Sequence, residues 1–179
     1  MKKTNSLSFI FSFLFLFLFS AARCQDKLRF HAVGFGVGVS NEPIKRTETN
    51  IAFNLDASYR YKQNLFSVEA EHSSSLKLLS NISYATTQLN LLYGREFSSS
   101  GKITTEAFVG IGLFNFRYRD NETNFEYIKG NTIGFPLRIK LLYNFGKIAA
   151  FVINPNININ SINTYYSILL QLVIRFGKK

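Results

Sequence analysis

The chain has 179 residues, 46% hydrophobic and 16% aromatic, with 21 Lys+Arg against 11 Asp+Glu and a formal net charge of +10. That length suits one domain, three prolines exclude a proline-rich or collagen-like chain, and one cysteine excludes a disulfide framework. A near-zero mean hydropathy excludes a polytopic helical membrane protein.

The N-terminus reads as a secretory signal peptide over residues 1–24. Lys2 and Lys3 precede an apolar run from Phe9 to Phe19, broken only by Ser12, and Ser20, Ala21 and Ala22 follow it. A run of about a dozen residues is too short to span a bilayer as a helix, and the small residues mark where a peptidase would cut. Cleavage after Cys24 leaves Gln25 first, with cleavage after Ala22 as the alternative. Arg23 before Cys24 argues against an acylated N-terminal cysteine, which needs a small residue there. Loss of Lys2, Lys3 and Arg23 lowers the net charge from +10 to +7.

From Gln25 onward, apolar and polar residues alternate with period two, so successive side chains point to opposite faces of strands. The first strand, residues 28–40, sets Val33, Phe35, Val37 and Val39 against Gly34, Gly36 and Gly38. The second, 51–62, sets Ile51, Phe53, Leu55, Ala57, Tyr59 and Tyr61 against Asn54, Asp56, Ser58, Arg60 and Lys62. The third, 65–75, sets Phe66, Val68, Ala70 and His72 against Ser67, Glu69, Glu71 and Ser73; a Gln63-Asn64 turn would pair Tyr61 with Phe66 and Arg60 with Ser67. Leu89, Leu91, Tyr93 and Phe97 then oppose Gln88, Asn90 and Gly94, and Ala107, Val109, Ile111 and Leu113 oppose Glu106, Gly110 and Gly112. The sixth strand, 133–144, puts Gly134, Pro136, Arg138, Lys140 and Asn144 on its polar face, where Pro136 breaks a ladder bond. The seventh opposes Phe151, Ile153, Ile157 and Ile159 to Asn154, Asn156, Asn158 and Asn160, and the eighth opposes Ile168, Leu170, Leu172, Ile174 and Phe176 to Ser167, Gln171 and Arg175.

Connections alternate between short (63–64, 98–102, 145–147) and long (41–49, 76–81, 119–130), with the brief 160–163 connection as an exception. The fold expected is therefore an all-β, eight-stranded antiparallel up-and-down transmembrane barrel over residues 25–179. Three observations favour apolar residues outside over a soluble lipocalin-like barrel with them inside. The polar faces carry both signs of charge at mid-strand, Asp56, Glu69, Glu71 and Glu106 with Arg60, Lys62, Arg138, Lys140 and Arg175, which suits a paired lumen network. Tyr59, Tyr61, Phe66, Tyr93, Phe97, Tyr143, Phe145 and Phe176 gather at the short-turn ends, like the aromatic girdle of a membrane interface. Strands of about a dozen residues are long enough to cross a bilayer with tilt. Eight strands leave room only for their own side chains, so no open pore is expected.

Residues 134–141, Gly-Phe-Pro-Leu-Arg-Ile-Lys-Leu, and the ending Val173-Ile174-Arg175-Phe176 resemble the PorT-like, OmpA-type outer-membrane barrels of Bacteroidota. The resemblance covers the mature chain and implies the outer membrane, periplasmic termini and recognition of the C-terminal aromatic by the barrel assembly machinery, although Gly177, Lys178 and Lys179 follow it. The function expected is structural, adhesive or surface-interacting, through the 119–130 loop with Arg119, Asp120, Glu122, Phe125, Glu126, Tyr127 and Lys129. A PorT-like accessory role in secretion or envelope assembly is the alternative, which no residue separates from the first. Glu71-His72-Ser73-Ser74 is similar to the His-x-Ser pair of outer-membrane lipid A deacylases, but Glu71 points away from His72 and no catalytic residue is assigned. No cofactor motif or metal-ligand spacing is present, and the scattered basic residues do not form a nucleic-acid patch. Lys45, Arg46 and Lys77 are placed to meet lipopolysaccharide, and the protein is expected to be a monomer.

Overall fold

The structure, a computed structural model, describes residues 28–41, 49–75, 82–100, 102–120, 128–146, 148–162 and 164–176, with the backbone alone at 49, 82, 83, 98–100 and 120. The expected leader, Lys45, Arg46, Lys77, Glu122, Phe125, Glu126, Tyr127 and the C-terminal lysines lie outside the described residues. Eight strands occur in chain order: β1 (Leu28–Asn41), β2 (Thr49–Tyr61), β3 (Asn64–Ser75), β4 (Ile82–Ser100), β5 (Ile103–Asp120), β6 (Ile128–Asn144), β7 (Ala149–Asn160) and β8 (Thr164–Arg175). Each pairs antiparallel with its neighbours, and β1 closes the barrel on β8.

Period-two patterning dictates this closure. In β3 and β8, inward and outward side chains alternate along the strand, with apolar residues outside and mostly polar ones inside. A flat sheet of this pattern would leave two edges unpaired, and closure satisfies both. At the seam the two strands approach so closely that a side chain at Gly38 would meet the Ile168 carbonyl. Gly146, with φ of 107°, makes the tight β6–β7 turn.

Two local features depart from the expected register. The β2–β3 turn is Lys62-Gln63, not Gln63-Asn64, so Tyr59 pairs with Phe66 and Ser58 with Ser67. The two-residue slip preserves which face each residue uses, and Lys62 takes the left-handed conformation, φ 56°, that closes so tight a turn. In β1, Phe30 pairs with Tyr59 but Ala32 with Ser58, making His31 an extra, bulged residue. Phe30 faces out while both His31 and Ala32 are buried inside.

Strands β4, β5 and β6 are longer than expected, at 19, 18 and 17 residues, against 12 to 14 for the others. Arg119, Asp120, Lys129 and Gly130 therefore belong to strands and not to the loop. Above Gly134 this wall rises beyond its pairing with β7. The β5–β6 ladder skips the positions facing Phe135 and Pro136, and the β6–β7 ladder skips those facing Ile139 and Lys140, where Pro155 lies; the register is unchanged across each gap. Both prolines remove a ladder donor without moving the chain.

The interior is filled by side chains. At the turn end, Ala32, Leu142, Ala150, Val152 and Val173 form one apolar cluster and Leu65, Leu92 and Phe108 another. Further up are polar groups, and towards the loop end Phe114 packs on Tyr165 with ring centroids 5.7 Å apart.

Candidate functional site: a paired lumen and a zoned outer face

The inward faces assemble two linked charge clusters and one lone acid. At mid-barrel, Asp56 accepts from Lys140 Nζ at 2.6 Å and Gln171 Nε2 at 3.3 Å, Arg138 Nη2 lies 3.9 Å from it, and Arg138 also pairs with Glu69. The Arg138 guanidinium sits 4.8 Å from the Phe108 ring centroid, a cation–π contact in a desolvated setting. Nearer the turns, Glu96 pairs with Arg60 and with Arg175 Nη2 at 2.7 Å, and His31 Nε2 donates to Glu106 Oε1 at 3.1 Å. The bulge in β1 is what aims His31 inward. Towards the loops, Glu71 accepts from the Tyr165 hydroxyl at 2.7 Å and Asn156 Nδ2 at 3.2 Å, and Asn158 Nδ2 donates to Gln88 at 2.7 Å.

Of the residues expected in the lumen, Asp56, Glu69, Glu71, Glu106, Arg138, Lys140 and Arg175 are buried there and Arg60 is half-buried at the turn-side mouth. Lys62 is not: it stands exposed in the turn. Glu96, which shares the inward parity of Gly94, joins the lumen set instead, so five acids (Asp56, Glu69, Glu71, Glu96 and Glu106) face four bases (Arg60, Arg138, Lys140 and Arg175) there. Buried charges left unpaired would each cost several kcal/mol, on the order of 3–5 when one partner is removed, so pairing is a condition of this packing.

His31, Glu96 and Glu106 bring potential metal-ligand atoms within 4.8 Å of one another. The guanidiniums of Arg60 and Arg175 already neutralise these carboxylates, and a divalent ion would have to displace them. His72 projects outward, where its Nδ1 lies 3.0 Å from the Thr87 hydroxyl, while Glu71 is buried on the opposite side of the same strand. The acid therefore cannot orient the imidazole, and the triad that acyl hydrolysis needs is not assembled there.

The outer face is zoned. Along β5 its apolar side chains run from Ile103 through Val109 and Ile111 to Leu113, all about half exposed. Ten steps at about 3.4 Å, tilted by roughly 45°, give a belt about 24 Å tall, close to the height of a bilayer's hydrocarbon zone. At its turn end stand Tyr59, Phe66, Tyr93, Phe97, Tyr143, Phe145 and Phe176, all exposed, with Tyr61 half-buried at the rim. Phe30 joins them, 5.2 Å from Tyr59 and 5.0 Å from Phe176, and Phe151 lies 4.5 Å from Phe145. This outward orientation overturns the lipocalin-like alternative, whose apolar residues would line the interior.

A closed, eight-stranded, plugged barrel with an apolar exterior can be set against solved structures. Neisserial surface protein A superposes with a TM-score of 0.67 at 10% identity, over 82% of this chain and 97% of that one. The attachment invasion locus protein Ail of Yersinia pestis gives 0.59 at 10%, over 84% and 99%. The fold is that of the small outer-membrane β-barrels. The N-terminal barrel domain of Pseudomonas aeruginosa OprF gives 0.55 at 10%, over 81% and 97%. No protein-family profile and no curated protein sequence matches the chain.

Proposed function

We propose that this protein is an outer-membrane β-barrel with periplasmic termini, whose plugged body carries a surface-interaction role through the strand connections at its long-stranded end. The observation that carries it is the belt: every strand turns large apolar side chains outward around a closed circuit. A water-soluble monomer does not tolerate a contiguous apolar surface of that kind. Hydrocarbon does, and it demands the closure seen here, since no open sheet edge survives in lipid.

Support for the surface role is indirect. The lumen is crossed by side-chain bonds at several levels and filled by apolar clusters between them, so the barrel serves as an anchor and not a conduit. Its wall of β4, β5 and β6 projects at the end opposite the tight turns and carries the 121–127 connection. Ail, of similar fold, is named for attachment and invasion, and has been solved with a heparin analogue. The PorT-like kinship with Bacteroidota barrels rests on residues 134–141 and the Phe176 ending, and Phe176, exposed beside Phe30, is the aromatic offered to the assembly machinery.

The test is a heat-modifiability gel on the membrane fraction of expressing cells. The unboiled protein is expected to migrate differently from the boiled one and to sediment with outer membranes. A single mobility in the soluble fraction would refute the reading.

A further inference from the structure

Among the described residues, four lumen acids are met by bases. Asp56 and Glu69 engage Lys140 and Arg138, and Glu96 and Glu106 engage Arg60 and Arg175, with His31 in the same turn-side group. Glu71, the fifth, receives neutral donors instead: the Tyr165 hydroxyl at 2.7 Å and Asn156 Nδ2 at 3.2 Å. A carboxylate has about four lone-pair sites, so these donors leave it room for more. Two neighbouring oxygens are also unsatisfied. Asn156 Oδ1, on the amide that donates to Glu71, has no hydrogen-bond partner, and the Ser167 hydroxyl faces the carboxylate without a well-formed hydrogen bond. Asn156 is 1% and Ser167 3% exposed, and the two stand opposite one another on β7 and β8, facing Glu71 of β3 across the lumen. Beside them Ser40 pairs with Ser167 and Ala52 with Ser73, so β1 and β2 send no long cationic side chain towards the carboxylate.

We infer that Glu71, Asn156 and Ser167 bind one alkali-metal cation in the loop-side lumen. Charge sets the valence. A buried carboxylate is costly unless a positive charge meets it. One monovalent ion supplies the charge that the two paired clusters leave missing, whereas a divalent ion would replace a deficit with a surplus. The donors set the chemical class. Carboxylate, amide and hydroxyl oxygens are hard ligands, and no thiolate or imidazole stands with them to hold a transition metal. A cation also does what a single hydrogen-bond donor cannot: it draws on several oxygens together, so Asn156 Oδ1 and Ser167 Oγ gain a partner along with the acid. Tyr165, two residues nearer the loops than Ser167 and packed on Phe114, covers the site on that side. The ion would tie β3 to the β7–β8 wall, and it needs no contribution from the strand connections.

The experiment is urea unfolding of the full chain refolded in dodecyl maltoside, at mildly alkaline pH and constant ionic strength, with choline chloride replaced stepwise by sodium, potassium or calcium chloride. Choline is too large for the site and serves as the reference. The wild-type midpoint is expected to rise by at least about 0.5 M urea in sodium or potassium, because an ion that binds the folded chain alone stabilises it by mass action. Glu71→Gln keeps the shape of the side chain and removes its charge. It is expected to unfold in choline at or above the wild-type midpoint and to lose the rise. Ser167→Ala is expected to keep the rise but to move its onset to about tenfold higher cation concentration. If Glu71→Gln does not fold, the onset in Ser167→Ala against wild type decides. Equal wild-type midpoints in choline and in both alkali salts would overturn the site, as expected of a carboxyl group that simply holds a proton. A rise that persists in Glu71→Gln, or an unmoved onset in Ser167→Ala, would place the ion elsewhere and overturn it too. An onset at far lower concentration in calcium than in sodium or potassium would overturn the monovalent assignment. None of these outcomes bears on the outer-membrane reading, which the heat-modifiability gel tests separately.

Discussion

Asp56 shows what a single lumen residue does in this barrel. It accepts from Lys140 and Gln171 and lies within 3.9 Å of Arg138, so one carboxylate compensates much of the positive charge at mid-barrel. Asp56→Asn leaves Lys140 and Arg138 facing each other in a desolvated interior and is expected to cost about 3–5 kcal/mol in urea unfolding. Adding Lys140→Gln is expected to recover a large part of that loss, because it removes the stranded charge. Most of this network was legible as inward parity: Asp56, Glu69, Glu106 and Arg138 fall on the polar face of any consistent alternation. His31 was not, because one bulged residue reverses the parity of everything before it, and no residue type announces a bulge. Tyr165 and Phe114 were missed for another reason: aromatics were assigned to the outside, yet a narrow lumen also needs large rings to fill it.

Whole elements were legible in number, order and orientation, since eight alternating segments admit few arrangements. Their ends were less so. Turn closure at Lys62-Gln63 depends on a left-handed lysine that sequence propensity disfavours, which is why the two-residue slip went unseen. Lys62→Gly is accordingly expected to stabilise the hairpin by about 1 kcal/mol in urea unfolding, and Lys62→Val to destabilise it. The extensions of β4, β5 and β6 were hidden because Arg117, Arg119 and Lys129 look like loop residues when strands are recognised by apolar content alone. Replacing residues 121–127 by a short turn is expected to leave heat modifiability unchanged while abolishing the proposed surface binding, measured as adhesion of expressing cells to coated surfaces. Adhesion that persists would move the contact elsewhere.

At the scale of the whole molecule, the near-zero hydropathy and the excess of basic residues have structural explanations. Half of each strand faces outward as an apolar belt and half inward onto paired charges, amides and a few apolar clusters, and part of the remaining positive charge lies on the outer wall and the turns. With side chains bridging β2 to β6 and β3 to β7 across the lumen, planar bilayers containing the refolded protein are expected to show no porin-sized conductance. The chain has no tryptophan, so a single introduced indole reports its own surroundings. Leu91→Trp places it on the belt and Phe108→Trp inside the lumen. In vesicles of brominated phosphatidylcholine, fluorescence of Leu91→Trp is expected to be strongly quenched and that of Phe108→Trp to be spared. Quenching of Phe108→Trp with Leu91→Trp left bright would contradict a barrel that turns its apolar face to lipid.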